Sequence, residues 1–377
     1  MRGTNVWSAD RLREALEKGT PLTVLDIRTA EQRAEWWIPG SVHAPVGRTV
    51  ADGNPLPLTA AVKDLPKSCP LVVVCALGKT GMFALEPLRK LGFEAISLQG
   101  GMQAWSEAWN TAEVALPAGS PTVTQIRRTG KGCLSYLAGS SGEAAVIDPS
   151  LSAAVYESLA KARGLRITAI LETHVHADHV SRARTLSKAT GATLYIPEQQ
   201  RVKYPFHALR DGDEIRLGAT TLKTLLTPGH TYESACYMIG DVAVATGDTL
   251  FVRGVGRPDL KAAANAESED RARLLYQSLT RKLFALADST IVLPCHTSEP
   301  IAFDGVPHAA PMGAARKAAG VDAMSEAAFA RHVLSNLPPT PPNHLAIVHI
   351  NEGLEPTPPD LAILEAGANR CAVGQAK

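Results

Sequence analysis

The sequence predicts two α/β units that meet near residue 115, a small one on a parallel sheet and a larger layered one with helices outside its strands. Three observations predict this. In the first unit, continuously apolar strands alternate with helical stretches, as expected for a sheet covered on both faces. From Cys133 onward, short apolar runs recur with helical stretches interspersed, and several end in a histidine or aspartate. At 377 residues the chain is too long for one ordinary domain and suits two.

The elements follow in order. Residues 8–18 place Leu12, Ala15 and Leu16 on one helical face. Leu22-Thr23-Val24-Leu25-Asp26-Ile27, Leu71-Val72-Val73-Val74 and Ala95-Ile96-Ser97-Leu98 read as strands, with a helix over 82–91. Pro, Gly and small residues over 112–121 fit a domain crossing. The expected division is therefore 1–114, a linker at 115–121, and 122–377. In the second unit strands are expected at 133–137, 144–148, 167–172, 193–196, 214–217, 221–226, 235–239, 242–246 and 290–293. Helices are expected at 151–163, 181–189 and 269–286. The C-terminal extension is helical over 325–335 and then Pro-rich. Pro338-Pro339-Thr340-Pro341-Pro342 must be extended or turn-like, and His344 to Ile350 resumes as helix or strand.

Composition excludes several function classes. Apolar residues are 45% and charged residues 20%, ordinary for a soluble globular protein. A formal net charge of +1 without a dense Lys/Arg block argues against a nucleic-acid partner. The apolar runs are too short to span a membrane, and the N-terminus lacks an apolar signal segment. Cys69, Cys75, Cys133, Cys236, Cys295 and Cys371 are scattered, with no C-x-x-C pair, so no disulfide framework is expected. A reducing cytoplasm is the expected compartment, and a homodimer the expected assembly.

The strongest chemical signal is Thr173-His174-Val175-His176-Ala177-Asp178-His179, directly after Ile167-Thr168-Ala169-Ile170-Leu171. A lone histidine is ordinarily a surface or core residue; three with a carboxylate in one short stretch point to a metal. His174 and His176 share strand parity and His179 does not, so a loop must present them. His230, Asp248 and His296 each follow an apolar strand or strand-turn, where α/β folds assemble their sites. Imidazole and carboxylate donors suit Zn, Fe, Ni or Mn.

The motif T-H-V-H-A-D-H resembles the H-x-H-x-D-H signature of the metallo-β-lactamase fold, and T-P-G-H-T (227–231), T-G-D-T-L (246–250) and P-C-H (294–296) are similar to its later ligand motifs. The resemblance covers roughly 122–350 and implies an αββα fold. E-T-H-V-H-A-D-H (172–179) and T-G-D-T-L-F-V-R-G-V-G-R-P-D-L (246–260) resemble the persulfide dioxygenases, whose nearest relatives are the glyoxalase II hydrolases. That resemblance implies one Fe(II) per chain held by His174, His230 and Asp248, with His176, Asp178, His179 and His296 around it. It also implies oxidation of a small-molecule persulfide, glutathione persulfide above all, by O2 to sulfite and thiol. Arg253 and Arg257 are candidates for handling an anionic substrate, the alternative being loop-organising ion pairs with Asp259. The family often has Cys and Thr where this chain has Val255 and Pro258.

A second reading stays open. All seven ligand positions of a two-metal hydrolase are present: His174, His176 and His230; Asp178, His179 and His296; and a bridging Asp248. Zinc or a dinuclear centre would then polarise a thioester carbonyl and generate hydroxide.

Cys75 ends the strand 71–74 and opens Ala76-Leu77-Gly78-Lys79-Thr80-Gly81 before a helix. Backbone N–H groups turned inward in such a loop stabilise an anion. The stretch resembles the rhodanese active loop. Asp26-Ile27-Arg28, Ile38-Pro39-Gly40-Ser41-Val42-His43 and 98–105 look like further rhodanese motifs, so the resemblance covers about 8–112. It implies an α/β rhodanese-like domain with Cys75 as sulfane-sulfur carrier, assisted by Arg28 and Lys79. Six residues from Cys75 to Thr80 fit a sulfur-sized loop. The family often has Arg where this chain has Thr80, and the alternative is an inert cysteine in a domain kept for binding. The other cysteines read as plain, although Cys295 adjoins His296. The expected function is thus a persulfide dioxygenase coupled to a sulfurtransferase-like domain.

Overall fold

Leu71–Val74 is buried at every position, which suits a central parallel strand with helices on both sides. The computed structural model, which describes residues 5–260, 265–367 and 369–374, places it there. The sheet order is Val6–Trp7, Ala95–Leu98, Leu71–Val74, Thr23–Asp26, Val42–His43, parallel throughout. Val73 and Leu71 pack into one apolar cluster and Val72 and Val74 into another, so both faces are covered. Arg28 and Cys75 leave the same, C-terminal edge of this sheet.

The larger domain is helix–sheet–sheet–helix. Its seven-stranded sheet runs His207–Leu209, Thr193–Pro197, Arg166–Leu171, Glu143–Ile147, Cys133–Ser140, Thr122–Arg128, Asn110–Glu113. The six-stranded sheet runs Glu214–Leu217, Thr220–Leu226, Ala235–Ile239, Ala243–Gly247, Ile291–Pro294, Ala310–Pro311. Side chains alternate across each strand. Tyr136, Ala145 and Ile147 meet Tyr237, Ile239 and Ala245 between the sheets. Leu137, Val146 and Ile170 turn outward to the helices Ala153–Ala162 and Ala183–Thr190. Val244 and Val292 turn to Leu275 and Leu279 of Asn265–Arg281. No described helix is long and apolar enough to cross a membrane.

The two units are an α/β rhodanese-like domain and an αββα domain, as expected. Details differ. Asn110–Glu113 pairs antiparallel with Thr122–Arg128, so the Pro/Gly-rich stretch 115–121 connects two strands of the second sheet, and the chain enters that sheet before residue 115. Thr122–Arg128 is a further strand, masked in the sequence pattern by Gln125, Arg127 and Arg128, all three buried. His344–Glu352 is a helix. The C-terminal strand Ala372–Gly374 returns to pair with Gly254–Gly256, which closes a hairpin with Leu250–Phe251.

The domains are locked by the turn at 129–132. Trp36 Nε1 donates to the Thr129 carbonyl at 3.0 Å. A Cβ on Gly130 would lie 1.8 Å from the Trp105 carbonyl oxygen, so only glycine fits without a backbone shift. Arg128 is fully buried and bonds Glu365 at 2.7 Å, the Ser106 carbonyl and Glu107. Glu365 also accepts from the Val180 N–H at 2.8 Å and from Arg182. One carboxylate thus ties the tail to the sheet and to the end of the histidine loop.

Burial alone would raise the pKa of Glu365; Arg128 and Arg182 outweigh it and hold it at about 2. The unfolded chain takes up the proton near the ordinary glutamate value of about 4.3, so this pair's contribution is full above that pH and fades as pH falls toward 2. Glu365→Gln is expected to lower unfolding free energy by about 3 kcal/mol near neutral pH, because it removes the buried one of the two carboxylates that pair with the Arg128 guanidinium. Denaturant titrations from pH 7 down to pH 2 should show the variant's deficit shrinking across that window.

Candidate metal centre

Asp148 follows the strand Glu143–Ile147 with φ of 52°, in the left-handed region that a non-glycine residue seldom adopts. Its carboxylate accepts from the Thr173 N–H at 2.7 Å and from the Thr173 hydroxyl at 2.9 Å. With its proton given to Asp148, the Thr173 oxygen accepts from His174 Nδ1 at 2.9 Å. That fixes the tautomer and leaves the lone pair of His174 on Nε2. His230 is set in the same way by a different partner. Its Nδ1 donates to the Arg257 carbonyl at 2.7 Å, and its Nε2 lone pair is left free.

Both Nε2 atoms converge on one oxygen. Asp248 Oδ2 lies 3.8 Å from His174 Nε2 and 3.4 Å from His230 Nε2. His174 Nε2 and Asp248 Oδ2 are buried without a hydrogen-bond partner among the described residues. Burial and the neighbouring His176 hold His174 well below the ordinary histidine pKa. Burial also lowers His230, against the pull of Asp248. Asp248 is raised by burial but, in balance, is held well below the carboxylate range by His296, His230 and His174. All three groups are therefore in the protonation state that binds a cation, and two imidazoles with one carboxylate fit a divalent transition metal.

The remaining histidines are each paired with a carboxylate. His176 Nε2 lies 3.0 Å from Glu172 and 3.2 Å from Asp148. His296 bridges two carboxylates, with Nδ1 2.7 Å from Asp248 Oδ1 and Nε2 2.8 Å from Asp178 Oδ2. Asp178, His179 and His296 form a second cluster of potential donors together with Cys133. The centre is thus built to coordinate one or two metal ions.

Several groups without a motif of their own join the centre. Cys133 lies 3.5 Å from Asp178, and Cys371 joins Asp248 and His296. Burial raises the Cys133 thiol, yet His179 outweighs it and brings it down to about 6. Cys295 lies 2.7 Å from Asp248 Oδ1 and 3.2 Å from His296 Nδ1, as its position beside His296 hinted. Asp148 could have been found by the same rule as Asp248, a carboxylate directly after an apolar strand. Nothing in the local sequence marks Asn351, whose amide donates to the His176 and His179 carbonyls at 2.9 Å each.

Of the two arginines, Arg257 takes the loop-organising place. Its guanidinium bonds Asp259 twice at 2.7 Å and reaches the Pro339 and Arg370 carbonyls. Arg253 is exposed on the hairpin turn and stands outside the donor clusters.

In the smaller domain the Cys75 thiol is buried and accepts from the Gly81 N–H at 3.3 Å. A side chain at Gly81 would press to 2.7 Å from Ser97 Oγ, so glycine keeps this approach open. Arg28 is engaged by Asp26 through two bonds and by the Trp36 and Gln32 carbonyls, whereas Lys79 is exposed at the helix start.

Residues 8–108 match the rhodanese-like domain, and residues 128–296 match the metallo-beta-lactamase superfamily. Over 185 residues the sequence is 34% identical to mitochondrial persulfide dioxygenase ETHE1 of Bos taurus, covering 48% of this chain and 70% of that protein. The chain belongs to the metallo-beta-lactamase superfamily. Within it the chain is related to the persulfide dioxygenases. The crystal structure of ETHE1 from Myxococcus xanthus superposes with a TM-score of 0.54 at 31% identity, covering 62% of this chain and 98% of that one. A hydroxyacylglutathione hydrolase of Methylococcus capsulatus is 38% identical over 159 residues, 41% of this chain and 58% of the hydrolase. This metallo-beta-lactamase superfamily member is therefore a metal-dependent enzyme related to both dioxygenase and hydrolase. The expected cytoplasmic location is corrected by the comparison, since the bovine, human and mouse relatives are mitochondrial. Six free thiols do not single out the cytoplasm.

Arg257→Lys removes the planar fork that fixes the carbonyl on His230. Metal titration of the variant should show affinity about 10–100-fold weaker with unchanged stoichiometry.

Proposed function

We propose that this chain oxidises a small-molecule persulfide with O2, holding one Fe(II) on His174, His230 and Asp248. The reading rests chiefly on the convergence of His174 Nε2 and His230 Nε2 on the unpartnered Asp248 Oδ2. Asp148 and Glu172 hold His176 through Nε2, and its donor cluster is the one with Cys295 and His296 rather than the set of His174, His230 and Asp248. Fe(II) held by His174, His230 and Asp248 would supply the activation of O2 and of the terminal sulfur. The chain's own residues set the geometry: Thr173 and the Arg257 carbonyl fix the two imidazoles, and His296 orients Asp248.

A pocket of about 280 Å³ borders His230 and is walled by Val175, Ala177 and Tyr232, with Arg201, Arg271 and Glu233. Apolar walls with both signs of charge suit a zwitterionic peptide thiol, which supports glutathione as the carrier. The net reaction is RSSH + O2 + H2O giving RSH, sulfite and two protons. Cys75 supplies sulfane sulfur from the rhodanese-like domain.

Thioester hydrolysis on two metals is the competing reading. It draws on the Asp178, His179 and His296 cluster and on the likeness to hydroxyacylglutathione hydrolases. Elemental analysis with oxygen-electrode assays separates the two. One iron per chain and one O2 consumed per sulfite from glutathione persulfide are expected. Two metals per chain, with acylglutathione turnover and no O2 uptake, would overturn the proposal. Asp248→Asn should abolish iron binding and O2 uptake together, whereas His176→Gln should retain one iron.

A further inference from the structure

The C-terminal helix His344–Glu352 borders two clefts. Val348 lines the pocket beside His230, whereas Ile350 and Asn351 line another, of about 420 Å³. This second cleft is also walled by the helix Ala183–Thr190, which follows the histidine loop, and by Tyr204. A Cβ on Gly353 would lie 2.9 Å from the Tyr204 ring, so the glycine that ends the C-terminal helix lets it pack against this tyrosine.

The two clefts differ in charge. The pocket beside His230 carries Glu233 and Glu267 as well as its arginines. Among the described residues the second cleft is lined by two cations, Arg184 and Lys188, and by no carboxylate. The two stand four apart on one helix, where like charges repel. The Arg184 guanidinium stacks over the Tyr204 ring, 4.4 Å from its centroid, which orients a planar fork.

The same cleft touches the back of the histidine loop. Ser181 and Asn351 both line it. Asn351 accepts from the Ser181 N–H at 2.9 Å and donates to the His176 and His179 carbonyls. The Ser181 hydroxyl donates to Glu172, which faces His176 Nε2 at 3.0 Å. An occupant of the cleft therefore bears on the loop that carries His174, Asp178 and His179.

We propose that this cleft is a second ligand site, separate from the metal centre, for the phosphate monoester of a small organic molecule, and that its occupancy strengthens metal binding. A dianion balances the two cations, with two oxygens on the Arg184 fork and a third on Lys188. The cleft falls within the size range of small-ligand sites, and Val180, Ile350 and Tyr204 offer apolar surface to the organic part. An inorganic oxyanion would match the charge and leave that surface uncovered. Neither part of the proposal depends on which reaction the metal performs.

Calorimetry on the metal-loaded full chain tests the site, with phenyl phosphate as the probe. Saturable binding is expected, tighter than that of inorganic phosphate or thiosulfate. No binding overturns the site, and equal or tighter binding of the inorganic anions overturns the monoester assignment. Arg184→Met and Lys188→Met, each checked for unchanged metal content and melting, should each weaken phenyl phosphate about 10-fold. Arg184→Lys, which keeps the charge without the fork, should fall between. Binding undiminished in both methionine variants would put the anion at the metal or elsewhere and overturn the site. Metal titration with and without saturating phenyl phosphate tests the coupling. Metal affinity is expected to rise about 5-fold, and removing the metal should weaken phenyl phosphate by the same factor. An unchanged metal affinity, or the same rise in Arg184→Met, would overturn the coupling.

Discussion

The Asp148 carboxylate is the constraint on which the metal centre depends. It receives the backbone and hydroxyl of Thr173 and faces His176 Nε2 at 3.2 Å. One group thereby sets where the strand Arg166–Leu171 ends, which tautomer His174 adopts and which way His176 points. Thr173 also touches the opposite sheet, since its carbonyl accepts from the Ala235 N–H at 2.9 Å. A Cβ on Gly247 would lie 2.6 Å from its hydroxyl oxygen. Asp248 is therefore delivered beside His174 by a glycine that lets the two sheets close on one threonine.

The C-terminal extension completes what the sheets begin. Asn351 holds the carbonyls of two loop histidines, Glu365 holds the Val180 N–H, and Cys371 reaches Asp248 and His296. Arg370 pairs with Glu35 of the smaller domain, and Gln103 bonds Asp360 at 3.3 Å. The tail thus borders both a cleft beside Ala76 and Leu77 and one that reaches Asp178.

Much of this was legible in the sequence because local patterning and tertiary placement agree. The apolar strands at 71–74, 143–147 and 235–239 are buried by alternation across two covered faces, and the His and Asp residues sit where such strands end. What stayed hidden depends on distant partners. Arg127 and Arg128 mask a strand because their charges are met by Asp304, Glu107 and Glu365 far along the chain. Cys133 and Cys371 have no motif of their own and become metal-centre residues only when residues 133, 178, 248, 296 and 371 are brought together. The hold on His176 Nε2 by Glu172 and Asp148, which leaves its Nδ1 unpartnered, is likewise not written in the H-x-H spacing.

Arg257 joins two events that are distant in the chain. Its carbonyl orients His230, and its guanidinium holds the carbonyls of Pro339 and Arg370. Thermodynamic reciprocity follows: if a docked tail improves cation affinity, a bound cation tightens the tail to the same extent. Metal occupancy and docking of the tail at Pro339 and Arg370 would then rise and fall together. A chain that has lost its ion should be more readily cleaved by protease near residues 337–343, well away from the imidazoles that released it.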